Sequence, residues 1–399
     1  MYEKDLKGSL VNISNHEHVR VIPTGSFVLD WLTGVGGIPR GRTTEVYGPE
    51  HNGKTTIAIA ACAQAQAMGL DSIFFDYEHA LDMTYAEKLG LKIDQDTFTW
   101  HQPETISEMH KILQDLWKYL EQKKDHKLGL IVIDSVAAME SKAVLEAAFD
   151  DKDKYIARHA IEVGRLISGA SKRVSKYDVA LLAINQLREK PSSRGGNPWE
   201  KKEYSHGGRA LKFYSSVRFE LSRASERKVE AAQSGEVDLD EETKAEKHTL
   251  YTQVYVNCVK CKVAIPFKKD SIWIRLGEGI DNVRSYAEKG KDRGFVEQSG
   301  RYFNFPGGVR VEGGIEGVRD FLKDPANKAV YETLREQVKG SMWAPKPAET
   351  PAPPPAAAEA EKPKDAAKPA ATPEAKPETS APAPAASKPK GEKIKLKVK

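Results

Sequence analysis

Gly48-Pro49-Glu50-His51-Asn52-Gly53-Lys54-Thr55-Thr56 is the stretch on which the reading of this chain turns. It fits G-x-x-x-x-G-K-[ST], a loop that wraps a phosphate. Ahead of it, Thr43-Thr44-Glu45-Val46-Tyr47 is β-branched and aromatic and reads as a strand. Behind it, Thr56 to Met68 is rich in Ala and Ile, lacks Gly and Pro, and reads as a helix. Strand, loop and helix in that order form the context the motif requires. Gly48 and Gly53 let the backbone curl until successive N–H groups face one anion, and the helix N-terminus adds its positive end. Lys54 then reaches the β- and γ-phosphates, and the Thr55 hydroxyl supplies an oxygen for Mg²⁺. The sequence therefore predicts a nucleoside triphosphate site.

The 399 residues allow two or three domains. Ala344 to Lys399 is mainly Ala, Pro, Lys and Glu, has no aromatic residue and holds 13 of the 22 prolines. Such a segment buries too little apolar surface to offset its ordering entropy, so a disordered tail is expected over 344–399. The tail has 11 lysines against seven acidic residues, and its net +4 equals that of the whole chain. Lys393, Lys395, Lys397 and Lys399 alternate with apolar residues at its end. That pattern suits either a solubilising tether or non-specific attraction to nucleic acid phosphates.

Three cysteines without framework spacing fit a reducing compartment. Cys258 and Cys261 form C-x-x-C within Val254 to Phe267, which alternates like a strand. Residues i and i+3 of a strand face opposite ways, so the two sulfurs should diverge and a zinc site is rejected. Met1 to Val21 has no apolar core for a signal peptide, and no run approaches the roughly 20 apolar residues of a membrane span. A soluble, cytoplasmic protein with no membrane partner is expected.

Residues 1–20 are weakly patterned, and Ser26–Leu32 is amphipathic between turn-rich flanks. Ser72–Asp76, Leu128–Asp134 and Val179–Asn185 read as short buried strands; Met83–Leu89, Ile106–Gln122 and Ile156–Ser175 read as helices. Their alternation implies an α/β core with a mostly parallel sheet, whose ligands bind at the carboxyl ends of the strands. Asp76, Asp134 and Asn185 fall at those ends. Leu211–Leu221, Tyr251–Lys262 and Ser271–Leu276 read as strands extending the sheet in antiparallel fashion, interrupted by a charged surface loop or helical hairpin, Ala224–His248. A small α+β module, mostly helical, is expected over 281–343, its core drawn from Tyr286, Phe295, Tyr302, Phe303, Phe305, Phe321 and Leu322. Hydrolysis needs a carboxylate to organise the metal and a group to orient water. Asp134 suits the first role and Glu78 the second.

The segments Gly48–Thr56, Asp76–Asp82, Val132–Ala138, Ile184–Arg188, Gly207–Tyr214 and Lys260–Phe267 together resemble the bacterial RecA recombinases, in family order and at near-family spacing over roughly residues 20–340. The resemblance implies a P-loop ATPase core over 21–280 that uses ATP and Mg²⁺, with Glu78 polarising the attacking water and Gln186 sensing the γ-phosphate. It places Asp82 and Tyr85 at the adenine. Lys260 and Lys262 would reach the nucleotide of a neighbouring subunit. Arg188–Gly207, with Arg188, Lys190, Arg194, Lys201 and Lys202, would be a loop on single-stranded DNA, where basic side chains meet the phosphate backbone. A second loop near Glu146–Tyr155 would flank the DNA path, and Arg158 and Arg165 on the following helix would touch phosphates.

The family's activity is DNA-dependent ATP hydrolysis in a helical filament that pairs single- with double-stranded DNA and exchanges strands. A LexA-type repressor is a further partner the resemblance admits. Departures from the pattern are the short segment before Val21, Gly195 in place of an aromatic residue in the DNA loop, Leu276 in place of an adenine-stacking aromatic, and a basic tail where the family's is acidic. The rivals are an accessory paralogue with weak ATPase activity and a ring-forming motor of the same superfamily.

Overall fold

The computed structural model describes residues 19–123, 125–141, 152–189, 203–205, 210–230 and 247–343, all within the compact unit Met1–Lys346. The first half contains β1 (Val21–Ile22), α1 (Phe27–Thr33), β2 (Ile38–Pro39), β3 (Thr43–Gly48), α2 (Lys54–Ala67), β4 (Asp71–Asp76), α3 (Met83–Lys88), β5 (Phe98–His101), α4 (Ile106–Gln122) and β6 (Leu128–Asp134). Then come α5 (Lys152–Tyr177), β7 (Ala180–Glu189), β8 (Glu203–Ser205), α6 (Ala210–Tyr214), β9 (Ser215–Glu230), β10 (Lys247–Cys261), β11 (Lys269–Arg275) and β12 (Gly279–Ile280). A final module holds α7 (Asn282–Asp292), β13 (Glu297–Ser299), β14 (Tyr302–Asn304), β15 (Arg310–Val311), α8 (Gly314–Lys323) and α9 (Lys328–Trp343).

The main sheet runs β12-β11-β10-β9-β3-β7-β6-β4-β5, with β8 paired to β7. Every residue of β6 is buried, because helices cover both faces of the sheet. Leu130 and Val132 join Phe74, Leu182, Ile184 and α2 on one side; Ile131 and Ile133 join Phe75, Leu181, α4 and α5 on the other. The period-two alternation of a strand produces this division. A matched pair of charges lies inside the sheet. Glu45 on β3 is fully buried; Arg218 Nε of β9 meets it at 2.5 Å, and Asn185 Nδ2 of β7 donates to it at 3.2 Å.

Several readings are corrected. Ala210–Tyr214 is a helix, and the strand read from Leu211 begins at Ser215. β9 joins β3 in parallel, so antiparallel pairing starts only beyond it. The two ends of the charged stretch 224–248 are strand, since β9 runs to Glu230 and β10 starts at Lys247; residues 231–246 lie outside the described residues. β5 was not foreseen. The terminal module carries the three-stranded sheet β13-β14-β15 beside its helices, with Tyr286, Phe303, Phe305 and Leu322 buried.

Cys258 and Cys261 do not diverge. β10 has an extra residue between Cys258, opposite Phe219, and Lys260, opposite Arg218. This bulge returns Cys261 to the face of Cys258, and both lie in one core cluster. The tail from 344 and residues 1–18 lie outside the described residues.

Removing Arg218 leaves Glu45 as an uncompensated charge in the dry sheet. Arg218→Ala is expected to cost about 3–5 kcal/mol of stability, while Glu45→Leu with Arg218→Met recovers most of it; denaturant midpoints of the two variants check this.

Candidate nucleotide-binding site

Parallel register assembles the site. Gly48 pairs with Gln186 across β3 and β7, and Asp76 with Asp134 across β4 and β6, so the loop and these three polar residues share one edge of the sheet. Gly48 is obligatory, because a Cβ there would stand 2.3 Å from the Leu221 carbonyl oxygen. His51 and Gly53 adopt positive φ values, 58° and 69°, which turn the loop amides to one side at the start of α2. Between them the Asn52 side chain is buried, with neither Oδ1 nor Nδ2 paired among the described residues.

Lys54 folds back and donates to the Pro49 carbonyl at 2.6 Å. Burial lowers the pKa of its ammonium, against the pull of Glu78, Asp134 and Glu50. Thr55 Oγ1 donates to Asp134 Oδ2 at 2.7 Å, and Asp134 Oδ1 is buried without a partner among the described residues. Burial pushes Asp134 up to about 7; the Glu78 and Asp76 carboxylates add to the rise, and Thr55 and Lys54 oppose it. A hydroxyl beside a carboxylate with one unsatisfied oxygen is a hard donor set, which fits a small divalent cation that keeps most of its waters.

Glu78 is exposed just beyond β4, and Gln186 Nε2 donates to its Oε1 at 2.6 Å. Asp76 had been placed at this edge without a role. Its buried carboxylate accepts from the Ala80 and Leu81 amides, each at 3.3 Å, and from Gln102 Nε2 at 3.2 Å. It thus holds the turn that carries Glu78. Gln102 follows the unforeseen strand β5, and no local pattern marks it.

Asp82 caps α3 by accepting from the Tyr85 amide at 3.1 Å, and the Tyr85 hydroxyl lies 3.2 Å from Thr56 Oγ1. Tyr85 therefore reaches the first turn of α2. The turn before β12 closes on the same place: a Cβ at Gly279 would lie 2.1 Å from Leu89 Cδ2 and 3.7 Å from Thr56 Cγ2.

Lys260 and Lys262 are elsewhere. Cys261 pairs with Val217, and Val217 with Thr44, at the start of β3. That is four residues, about 13 Å, from the loop end of the strand. Lys260 Nζ donates to the carbonyls of Lys212 at 2.6 Å and Phe213 at 3.2 Å, and its pKa is lowered by burial and by the nearby Lys262 and Arg218 charges. Within one chain these lysines do not join the nucleotide loop. Arg165 is exposed on α5. Arg158 and Arg188 lie in α5 and β7, with their side chains outside the described set; Lys190, Arg194, Lys201 and Lys202 lie outside the described residues, as does most of the second loop.

The RecA N-terminal domain family matches residues 2–281. The chain belongs to the RecA family. It is 39% identical to Protein RecA of Heliobacterium modesticaldum over 336 residues, 82% of this chain and 87% of that one. It is 37% identical to Protein RecA of Chlorobaculum tepidum over 337 residues, 84% and 88% of the two chains, and 36% to that of Bacillus subtilis over 335, 84% and 87%. As a RecA-family protein it is a DNA-dependent ATPase of homologous recombination and repair that catalyses strand exchange. Neither the accessory paralogue nor the ring-forming motor is favoured. No helix among the described residues is long and apolar enough to cross a membrane.

A carboxyl whose folded pKa of about 7 exceeds the ordinary 3.8 acquires a destabilising charge as pH rises between those values. Asp134→Asn keeps an oxygen for Thr55 to donate to. It is expected to raise the melting temperature of the nucleotide-free protein by a few degrees at pH 8, with the gain shrinking toward pH 5. Thermal melts across that range check it.

Proposed function

We propose that the edge formed by Gly48–Thr56, Glu78, Asp134 and Gln186 is the ATPase centre that controls DNA binding in a filament of this chain. The observation that carries the reading is the 2.6 Å hydrogen bond from Gln186 to Glu78. It joins the group suited to orient water to the strand that leads into the basic segment 188–207. Glu78 polarises the attacking water, and Asp76 fixes the turn that aims it. Lys54 exchanges its bond to the Pro49 carbonyl for the β- and γ-phosphates. Thr55 and Asp134 would hold Mg²⁺, which when bound neutralises charge developing on the phosphates. Asp82 and Tyr85 take the adenine.

Gln186 has one amide for two acceptors, Glu78 and a γ-phosphate, so nucleotide state alters how the end of β7 is held. Arg188, Lys190, Arg194, Lys201 and Lys202 then grip single-stranded DNA, with Arg158 and Arg165 on adjoining phosphates. Lys260 and Lys262, remote from their own loop, serve the nucleotide of the next subunit. The same reading makes double-stranded DNA the second substrate, the filament a helical homo-oligomer and the cytoplasm its compartment, and it leaves a LexA-type repressor as a candidate partner.

ATP hydrolysis measured with and without single-stranded DNA, over a salt series, tests the proposal. Stimulation by DNA that fades as salt rises is expected. Lys54→Ala should lower kcat by about two orders of magnitude, and Glu78→Gln should abolish turnover while fluorescent ATP still binds. Hydrolysis indifferent to DNA, or undiminished in Lys54→Ala, would refute it.

A further inference from the structure

The C-x-x-C of β10 has no part in the chemistry above. The bulge at Val259 sets both thiols on one face, with Cys258 fully buried and Cys261 9% exposed at the margin of the core. Cys258 Sγ donates to the Lys260 carbonyl at 3.6 Å, and Cys261 Sγ to the Thr33 carbonyl at 3.4 Å. The Cys258 thiol, the Val263 and Ala264 amides and the Lys268 ammonium lower the pKa of Cys261, against burial, while Cys261 and burial raise that of Cys258. A thiolate so held, with a second thiol beside it, is the arrangement of a reactive pair. Cys62 is the contrast: it is enclosed in α2, and burial pushes it up to about 12.

We propose that Cys258 and Cys261 are an oxidisable dithiol whose disulfide tightens the bulge between them and re-aims Lys260 and Lys262. The oxidant is a peroxide. The Cys261 thiolate attacks one peroxide oxygen, forming S–O as O–O breaks, and the departing oxygen takes a proton and leaves as water. The Cys258 sulfur then attacks the Cys261 sulfenic acid; S–S forms, S–O breaks, and the Cys258 proton leaves with hydroxide as a second water. Two thiols lose two electrons, and the peroxide gains them.

The bond requires sulfurs about 2.05 Å apart and Cα atoms within about 7 Å, so closing it fixes the geometry of the segment between the cysteines. Lys260 lies in that segment, anchored to the Lys212 and Phe213 carbonyls, and the Lys262 amide donates to the Ser216 carbonyl at 2.8 Å. The functional half of the proposal rests on the reading of these lysines as cations for a neighbour's nucleotide.

The test treats the full-length chain with hydrogen peroxide, alkylates free thiols and reads masses. Trypsin cuts after Lys260, so the disulfide should appear as two peptides joined through sulfur, while Cys62 is alkylated only after unfolding. DNA-stimulated ATP hydrolysis should fall about tenfold or more and return on reduction. Cys261→Ser and Cys258→Ala should each remove the sensitivity; having both separates a folding loss in the core variant from loss of the pair. A Cys261 oxyacid with Cys258 still free, or a joined peptide pair with hydrolysis unchanged, overturns the proposal. The peptide pair is read without turnover, so a reduced chain inert toward ATP counts against the nucleotide reading instead.

Discussion

Hydrogen bonding between β3 and β7 in one parallel register sets Gly48 beside Gln186, and the pairing of β4 with β6 sets Asp76 beside Asp134. A slip of one residue in either pairing would turn every side chain of a strand to the other face and bury the polar ends. The register is held because both faces are covered. Phe74 and Phe75, neighbours in sequence, belong to opposite cores, and each core admits only its own set. The site is thus a consequence of apolar packing some distance beneath it.

Charge is expelled from such a sheet except where it is matched. Glu45 survives because Arg218 and Asn185 reach it from the two flanking strands, and the Arg218 guanidinium also lies 4.6 Å over the Tyr47 ring. At the strand ends the balance differs. Burial raises the cost of ionising Asp134, the nearby Glu78 and Asp76 charges add to it, and Thr55 and Lys54 only partly offset it. A carboxylate held this way accepts a cation readily, since the cation compensates a buried charge.

The turn ahead of the terminal module links it to the nucleotide edge. Gly279 packs on Leu89 and Thr56, while the adjacent Glu278 and Asp281 accept from Arg319 at 2.5 and 2.7 Å, and Lys323 donates to Glu278 at 2.8 Å. Phe27 stacks on Tyr286 at 3.8 Å, and Trp31 Nε1 donates to the Met342 carbonyl at 2.6 Å. The module is therefore fastened both at the nucleotide side and at α1.

The nucleotide loop, its flanking strand and helix, the buried strands and the place of Asp134 at a strand end were all legible in the chain itself. Each depends on residues within one turn or one strand, where spacing alone sets which groups share a face. What required the folded molecule was everything set by partners distant in sequence. The parallel entry of β9 beside β3, the neutralisation of Glu45 by a residue 173 positions away, and the bond from Gln102 to Asp76 across 26 positions leave no local periodicity to read. The cysteines make the same point from the other side. Strict alternation separates them, and only an extra residue in β10, visible through its pairing with β9, brings them onto one face.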